Sequence, residues 1–485
     1  MIRSCMVYRL NLMALVLCNI GYGQAELDDV GKKDSFSISD TCTWTAEGGE
    51  YFADFPEILY KGVDSRDPLS YRFYNAEEVI MGKTMKEWLR FSIAYWHTIT
   101  GDGSDPFGAP TKAWPWESDS CSKMHTATRR MHAMFEFMHK LGVDRWCFHD
   151  RDIAPEGATL AETNANLDQI VGLAESLQEG TSIRPLWGTA QLFKHPRYMN
   201  GAATSPQAEV FAYAAAQVKK AMDVSHRLGA ENYVFWGGRE GYQTLLNTDL
   251  EKELKHMASF LRMADAYKKK IGFNGTLLLE PKPQEPTKHQ YDWDVGTTVG
   301  FLRQHDLQDK FKINVECNHA TLAGHSCEHE LELARVLGML GNLDANTGDA
   351  QTGWDTDQFM TDPRQATLVM AVVLKQGGLA PGGINFDAKL RRESIDLHDL
   401  FSAHIGGIDA LARGLRNAAK LLEEGILMRL VEDRYLSFEG KLGSQIEAEN
   451  LGFEELEEWA LANRDPVPLS GKQELAENIL NMFVR

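Results

Sequence analysis

The chain repeats a pattern rather than a sequence. Eight short runs rich in β-branched and aromatic residues each close in a polar or glycine-containing cluster, and an amphipathic stretch follows each one. The runs are 91–96, 145–149, 183–187, 233–236, 276–280, 312–316, 340–344 and 383–387. Between them, Met131, Met134, Phe135, Met138 and Leu141 recur at helical spacing before a glycine stop at Gly142. Leu167, Ile170, Val171, Ala174 and Leu177 do the same before the third run. Strands alternating with helices predict a parallel sheet, and eight of them predict a closed α/β TIM barrel, whose active site lies at the C-terminal strand ends. An open doubly wound sheet is the alternative, and the lack of a GxGxxG after the first strand weighs against it. Past Asp387 the strand runs stop. Residues 400–422 read as one long amphipathic helix, and 423–485 as an acidic C-terminal helical extension expected to serve oligomerisation.

Residues 1–23 have the grammar of a signal peptide: Arg3 and Arg9 precede an apolar stretch, and Gly21-Tyr22-Gly23 offers a cleavage site. An uncleaved anchor or an organellar presequence is the competing reading. The expected organisation is then a leader over 1–23, an N-terminal extension over 24–55, a catalytic barrel over 56–422 and the tail over 423–485. The expected location is the secretory pathway or outside the cell, with the cytoplasm as the alternative. No later stretch reaches 18 apolar residues, so no membrane partner is expected after cleavage. Cys42, Cys121, Cys147, Cys317 and Cys327 remain, an odd set without CxxC spacing, so neither a disulfide framework nor a zinc ribbon is expected. Cys147 and Cys317 lie in apolar runs and are expected to be buried thiols. Asn274-Gly275-Thr276 is a glycosylation sequon.

Acidic residues outnumber Lys and Arg by 69 to 50, a net charge of −19 that repels nucleic acid, so none is expected as a partner. Where the acids fall is more informative than their number. Glu280, Glu316, Asp344 and Asp387 end the fifth, sixth, seventh and eighth runs, and a barrel would bring all four to one rim. They could not all stay ionised there without cations. Asp355 and Asp357 follow the seventh run in a loop, and His319 lies three residues past Glu316. Seven ligands of mostly oxygen character suit two hard divalent cations such as Mg2+ or Mn2+. Across the barrel, His149 has Asp152 three residues on, the arrangement that fixes an imidazole as a general acid or base. Lys282 brings a positive charge that could stabilise an oxyanion. Trp96, Trp187 and Trp236 end the first, third and fourth runs, either as walls for the apolar face of a sugar or as barrel filler.

From about Tyr60 to the C-terminus the chain resembles xylose isomerase, in the longer form of that family. The resemblance rests on Trp96-His97-Thr98, Asp105-Pro106-Phe107-Gly108, Phe148-His149-Asp150-Arg151-Asp152, Trp236-Gly237-Gly238-Arg239-Glu240-Gly241, Glu280-Pro281-Lys282-Pro283, Asn318-His319-Ala320-Thr321, Gly353-Trp354-Asp355-Thr356-Asp357 and Asn385-Phe386-Asp387-Ala388-Lys389, in that order. It implies interconversion of D-xylose and D-xylulose by a C2-to-C1 hydride shift, with a weaker D-glucose to D-fructose activity. It also implies two divalent cations per subunit (Mg2+, alternatively Mn2+ or Co2+), a small sugar as partner, and a homodimer or homotetramer. By the same resemblance one cation lies between Glu280, Glu316, Asp344 and Asp387, and the other between Glu316, His319, Asp355 and Asp357. His149, oriented by Asp152, assists ring opening, Lys282 steadies the carbonyl oxygen, and Phe107 reaches into a neighbouring subunit's site. Two rivals stay open: a barrel metallo-hydrolase, and a secreted sugar-binding protein without turnover.

Overall fold

Every strand-like run becomes a strand in the computed structural model, which describes residues 50–117 and 121–484. The signal-like leader, Cys42 and most of the expected extension lie outside the described residues. The strands are β1 (Phe91–Ala94), β2 (Arg145–His149), β3 (Arg184–Thr189), β4 (Asn232–Trp236), β5 (Thr276–Glu280), β6 (Phe311–Glu316), β7 (Leu340–Asp344) and β8 (Ile384–Phe386). They pair in parallel and in chain order, and β8 closes on β1. The TIM barrel expected from the pattern is therefore the fold. Around it run α1 (Lys123–Leu141), α2 (Leu160–Gln178), α3 (Ala208–Arg227), α4 (Leu250–Ile271), α5 (Val295–Gln304), α6 (Cys327–Val336), α7 (Pro363–Gln376) and α8 (Leu397–Glu424).

Local chemistry sets the helix ends. Ser122 accepts a hydrogen bond from the His125 amide to start α1, and Gly142, at φ +71°, ends it. Thr159 caps α2 in the same way, and Asp396 forms a capping box with Asp399 for α8. Each such cap contributes about 1 kcal/mol.

Period-two alternation decides which side chains face inward. Trp146, Phe148, Leu277, Leu279, Ile313 and Val315 join the large core between strands and helices. Cys147, Trp187, Val234 and Leu278 form a separate cluster, with Trp96 packed against it. Glu280 keeps the parity of Leu278, so at the end of β5 it belongs to the interior row. Register then levels the strand ends: Glu280 sits opposite Trp236, Glu316 opposite Asp344, and Asp344 opposite Asn385.

Two expectations need correcting. Cys317 is not a thiol: it is disulfide-bonded to Cys327, ten residues on. A short helix, Cys317–Leu322, and a turn carry the chain back, so the first residue of α6 returns beside the end of β6 at a Cα separation of 4.6 Å. Cys121 is also disulfide-bonded, whereas Cys147 is a buried free thiol as expected. The boundary at residue 55 also cuts through packed structure. Phe52 is fully buried against Trp116, Phe137 and Phe401, and Glu136 accepts hydrogen bonds from the Tyr51 and Phe52 amides.

The tail is helical, with α9 (Ile426–Tyr435), α10 (Lys441–Glu447), α11 (Phe453–Ala462) and α12 (Gln473–Phe483). Ile479 and Leu480 of α12 bury themselves against Leu421 of α8, which ties the end of the chain back to the barrel.

Helices α7 and α8 approach so closely that a Cβ at Gly414 would lie 2.5 Å from the Ala366 carbonyl carbon. Replacing a mid-helix glycine by alanine ordinarily stabilises by roughly 0.5–1 kcal/mol. Gly172, in α2, has nothing within 4 Å of such a Cβ, so Gly172→Ala is expected to raise Tm. Gly414→Ala is expected to lower it, because overpacking costs about 1–3 kcal/mol of stability. Thermal unfolding of the two variants checks the opposite signs.

Candidate metal centre and active site

The acids that end β5 to β8 converge. One ligand atom from each of Glu280, Glu316, Asp344 and Asp387 lies within 4.8 Å of the others, and Glu316, Asp355 and Asp357 form a second such group. Glu316 belongs to both. His319 groups with Glu280 and Glu316. Its Nε2 is 3.3 Å from Asp355 Oδ2, so it also touches the second set. All seven ligands expected from the sequence are thus brought to one end of the barrel.

Their burial makes the repulsion severe. At an effective dielectric of about 20, two charges 4.8 Å apart repel by roughly 3 kcal/mol. A group of four has six such pairs, more than the whole stability of a typical domain, about 5–15 kcal/mol. Burial, and then the neighbouring carboxylates, push Glu280, Glu316 and Asp344 well above the usual carboxylate range. Asp355 goes the other way: burial would raise it, but Lys282 and His319 outweigh burial and hold it well below that range.

The donor set fits hard divalent cations. His319 Nδ1 is buried without a hydrogen-bond partner, yet stands 3.0 Å from Glu316 Oε2. That spacing is the edge of an octahedron with bonds of about 2.1 Å, so both atoms could serve one ion.

Across the cavity, His149 Nδ1 is 2.7 Å from Asp152 Oδ2, while Gln191 Nε2 donates to Asp152 Oδ1 at 2.9 Å. The pair fixes the ring and leaves Nε2 for the cavity that His149 lines. That cavity, about 180 Å³, is walled by Trp96, Trp187, Trp236, Phe193 and Val234 on one side and by Glu280, Glu316, His319, Asp355, Asp357 and Asp387 on the other. Asp344 lies beneath it, fully buried. Lys282 is buried behind the rim, with its amine 2.6 Å from Asp355 Oδ2 and 5.2 Å from the Trp236 ring centre. Phe107 does not line this cavity: it stands 77% exposed, with its ring against Trp354.

Several functional residues escaped the sequence reading. Asn314, two residues before Glu316 and so on the same interior face, donates to Glu280 at 2.8 Å and to Asp344 at 2.7 Å. Asn346 donates to Glu316 at 2.6 Å, and Asn318 donates to Asp355. The available signal was asparagine at the matching parity, two residues from Glu316 (Asn314, Asn318) and from Asp344 (Asn342, Asn346). His97 was noted only as part of a motif. Its Nε2 lies 2.9 Å from Asp387 and 3.4 Å from Asp357. Burial opposes its charge, but hydrogen bonds to the two carboxylates push it up to about 9.

Comparison with known proteins follows the same line. Residues 431–484 match the family described as XylA2 C-terminal domain. The chain is 65% identical to a xylose isomerase of Hordeum vulgare over 449 residues, 93% of this chain and 92% of that protein. It is 64% identical to one from Arabidopsis thaliana over 451 residues, 93% of each. A xylose isomerase of Thermoanaerobacter pseudethanolicus is 54% identical over 435 residues, 90% of this chain and 99% of that protein.

The raised carboxylates carry a pH consequence. In the folded, metal-free chain Glu280, Glu316 and Asp344 keep their protons to a higher pH than when unfolded. Their contribution to stability is full below the ordinary carboxylate range and is lost as pH rises through the folded-state values. Divalent cations offset that loss. The gap in Tm between metal-loaded and chelator-stripped protein is therefore expected to widen from pH 5 to pH 8. A constant or narrowing gap in calorimetry would contradict this electrostatic reading.

Proposed function

The chain belongs to the xylose isomerase family, and from that membership and the cavity above we infer that it interconverts D-xylose and D-xylulose. The family assignment displaces the hydrolase reading and the non-catalytic sugar-binding reading. The observation that carries the catalytic reading is the convergence of seven metal-ligand candidates, six of them lining the cavity that His149, paired with Asp152, also lines.

The reaction moves a hydrogen from C2 to C1 of the open-chain sugar and a proton from the C2 hydroxyl oxygen to the C1 oxygen. Two divalent cations, one held by Glu280, Glu316, Asp344 and Asp387 and the other by Glu316, His319, Asp355 and Asp357, would supply Lewis-acid polarisation of the sugar oxygens. We assign Mg2+ first, with Mn2+ or Co2+ as alternatives, because six of the seven ligands are carboxylates. His149 Nε2 handles the proton of ring opening, and Asp152 holds its tautomer and steadies the charged form. Lys282, fixed by Asp355, provides a positive charge for the carbonyl oxygen. Trp96, Trp187 and Trp236 exclude water and face the apolar side of the sugar. The same site would turn over D-glucose to D-fructose more slowly, because the indole walls limit the room for one more carbon.

Two properties of the assembly follow as proposals. Phe453, Leu461, Val467 and Leu469 leave apolar side chains exposed on the tail, and Phe107 is exposed beside the cavity. These features support a homodimer or homotetramer in which Phe107 completes a neighbour's site; light scattering gives the mass. The signal-like leader supports a secretory location. The bonded cysteines agree with it, since disulfides persist in oxidising compartments. Sequencing the N-terminus of the native protein tests the cleavage.

Two variants separate the roles. Glu316→Gln is expected to lower affinity at both metal positions and to cut xylulose formation by about a hundredfold or more. His149→Asn is expected to leave metal stoichiometry unchanged while kcat falls by about 10²–10⁴. Metal analysis and a xylulose assay on folded protein read both. Normal turnover by Glu316→Gln would overturn the shared-ligand reading.

A further inference from the structure

Behind the barrel mouth, outside the cavity, a second kind of ligand cluster stands between α5 and α6. His325, His329 and Glu330 each offer a ligand atom within 4.8 Å of the others. The two imidazoles lie face to face, ring centres 4.8 Å apart at 26°. Asp294, the cap of α5, adds a carboxylate: its Oδ2 is 3.4 Å from His325 Nε2, while its Oδ1 accepts from the Thr297 amide.

What distinguishes this cluster is Glu330. It is 4% exposed. Its Oε2 accepts from the Val295 amide at 2.8 Å, but its Oε1 is buried with no hydrogen-bond partner. That oxygen is 3.9 Å from His329 Nε2, and the three residues offer ligand atoms within 4.8 Å of one another. A buried carboxylate oxygen left unpaired costs roughly 1–3 kcal/mol or more. An ion between Glu330 and the histidines would remove that cost.

We propose that His325, His329 and Glu330, with Asp294 as fourth ligand, form a binding site for a borderline divalent cation of the zinc class, separate from the acid-rich pair in the barrel. Two imidazoles with one or two carboxylates suit Zn2+, whereas Mg2+ prefers oxygen and water. Ligands on tetrahedral zinc, bound at about 2.0–2.2 Å, stand roughly 3.3–3.6 Å apart. Rotation of His329, the most exposed of the set at 53%, closes the remaining distance. The site is built on rigid elements. Cys327, two residues before His329, is bonded to Cys317, which adjoins Glu316, and Glu330 is hydrogen-bonded to the first residue of α5. An ion there braces the helices behind the catalytic acids and takes no part in the isomerisation.

The test uses the full chain, stripped with chelator, refilled with excess Mg2+, exposed to Zn2+ and desalted before elemental analysis. Wild type is expected to retain one more zinc per chain than the double variant His325→Gln, His329→Gln. Xylulose formation with Mg2+ alone should agree within about twofold between them. Equal zinc in the two proteins would overturn the proposal. If the double variant does not fold, His329→Gln alone serves, with zinc Kd expected to rise about tenfold or more. An unchanged Kd would overturn the proposal equally. Glu316→Gln in the same experiment keeps the two readings apart, since the histidine-dependent zinc should persist in that background whatever happens in the barrel.

Discussion

Four buried carboxylates within 4.8 Å of one another are the constraint on which the rest of this barrel depends. Left as anions they would repel by more than the fold can absorb, so their surroundings answer them. Asn314 reaches Glu280 and Asp344 with one amide nitrogen, and Asn346 serves Glu316. His97 bridges Asp357 and Asp387, Lys282 holds Asp355, and Lys389 pairs with Asp357 at 3.0 Å. Amides satisfy lone pairs without adding charge, and the cations stand at the outer acids. The deepest positions, at Glu280, Glu316 and Asp344, have no Lys or Arg partner among the described residues, only His319 beside Glu316 and Glu280, and it is there that the pKa values rise most plainly. A site that must accept divalent ions cannot be fully neutralised by its own side chains.

The fold makes this arrangement affordable by separating where stability arises from where charge is stored. Alternate residues of each strand send their apolar neighbours outward to the helices, and only the inward row carries asparagines and acids. The opposite half of the mouth is aromatic. Trp96, Trp187 and Trp236 line the cavity, and the Trp96 Nε1–H donates to Asp387 at 3.0 Å, which joins the apolar wall to the acidic side. His149 sits within that wall, its ring centre 4.4 Å from that of Trp96, and its Nδ1 is paired with Asp152 rather than with the rim acids.

Much of this was legible in the chain, and the missing parts share a cause. Strand runs, the acids at their ends and the His149–Asp152 spacing are local, because period two and closure of the barrel convert them directly into position. The long helix α8 was legible too, short by a few residues at each end. Partners fixed only by three-dimensional return were not. Cys317 and Cys327 meet because a short helix and a turn bring the chain back, and a ten-residue spacing without CxxC gave no hint of it. Phe52 reads as part of an N-terminal extension until α1 and α8 supply Phe137 and Phe401 around it. His97 follows a tryptophan at a strand end, and its two acidic partners lie more than 250 residues away. The asparagine layer could have been read from parity alone, since Asn314 and Asn342 each stand two residues before an acid.

The central claim is that Glu316 is shared between two cations at the barrel mouth. Anomalous-difference density from a crystal of the protein grown with Mn2+ tests it most directly. Two peaks are expected, each at coordination distance, about 2.1 Å, from the Glu316 carboxylate. A single peak, or two peaks of which only one touches Glu316, would contradict it.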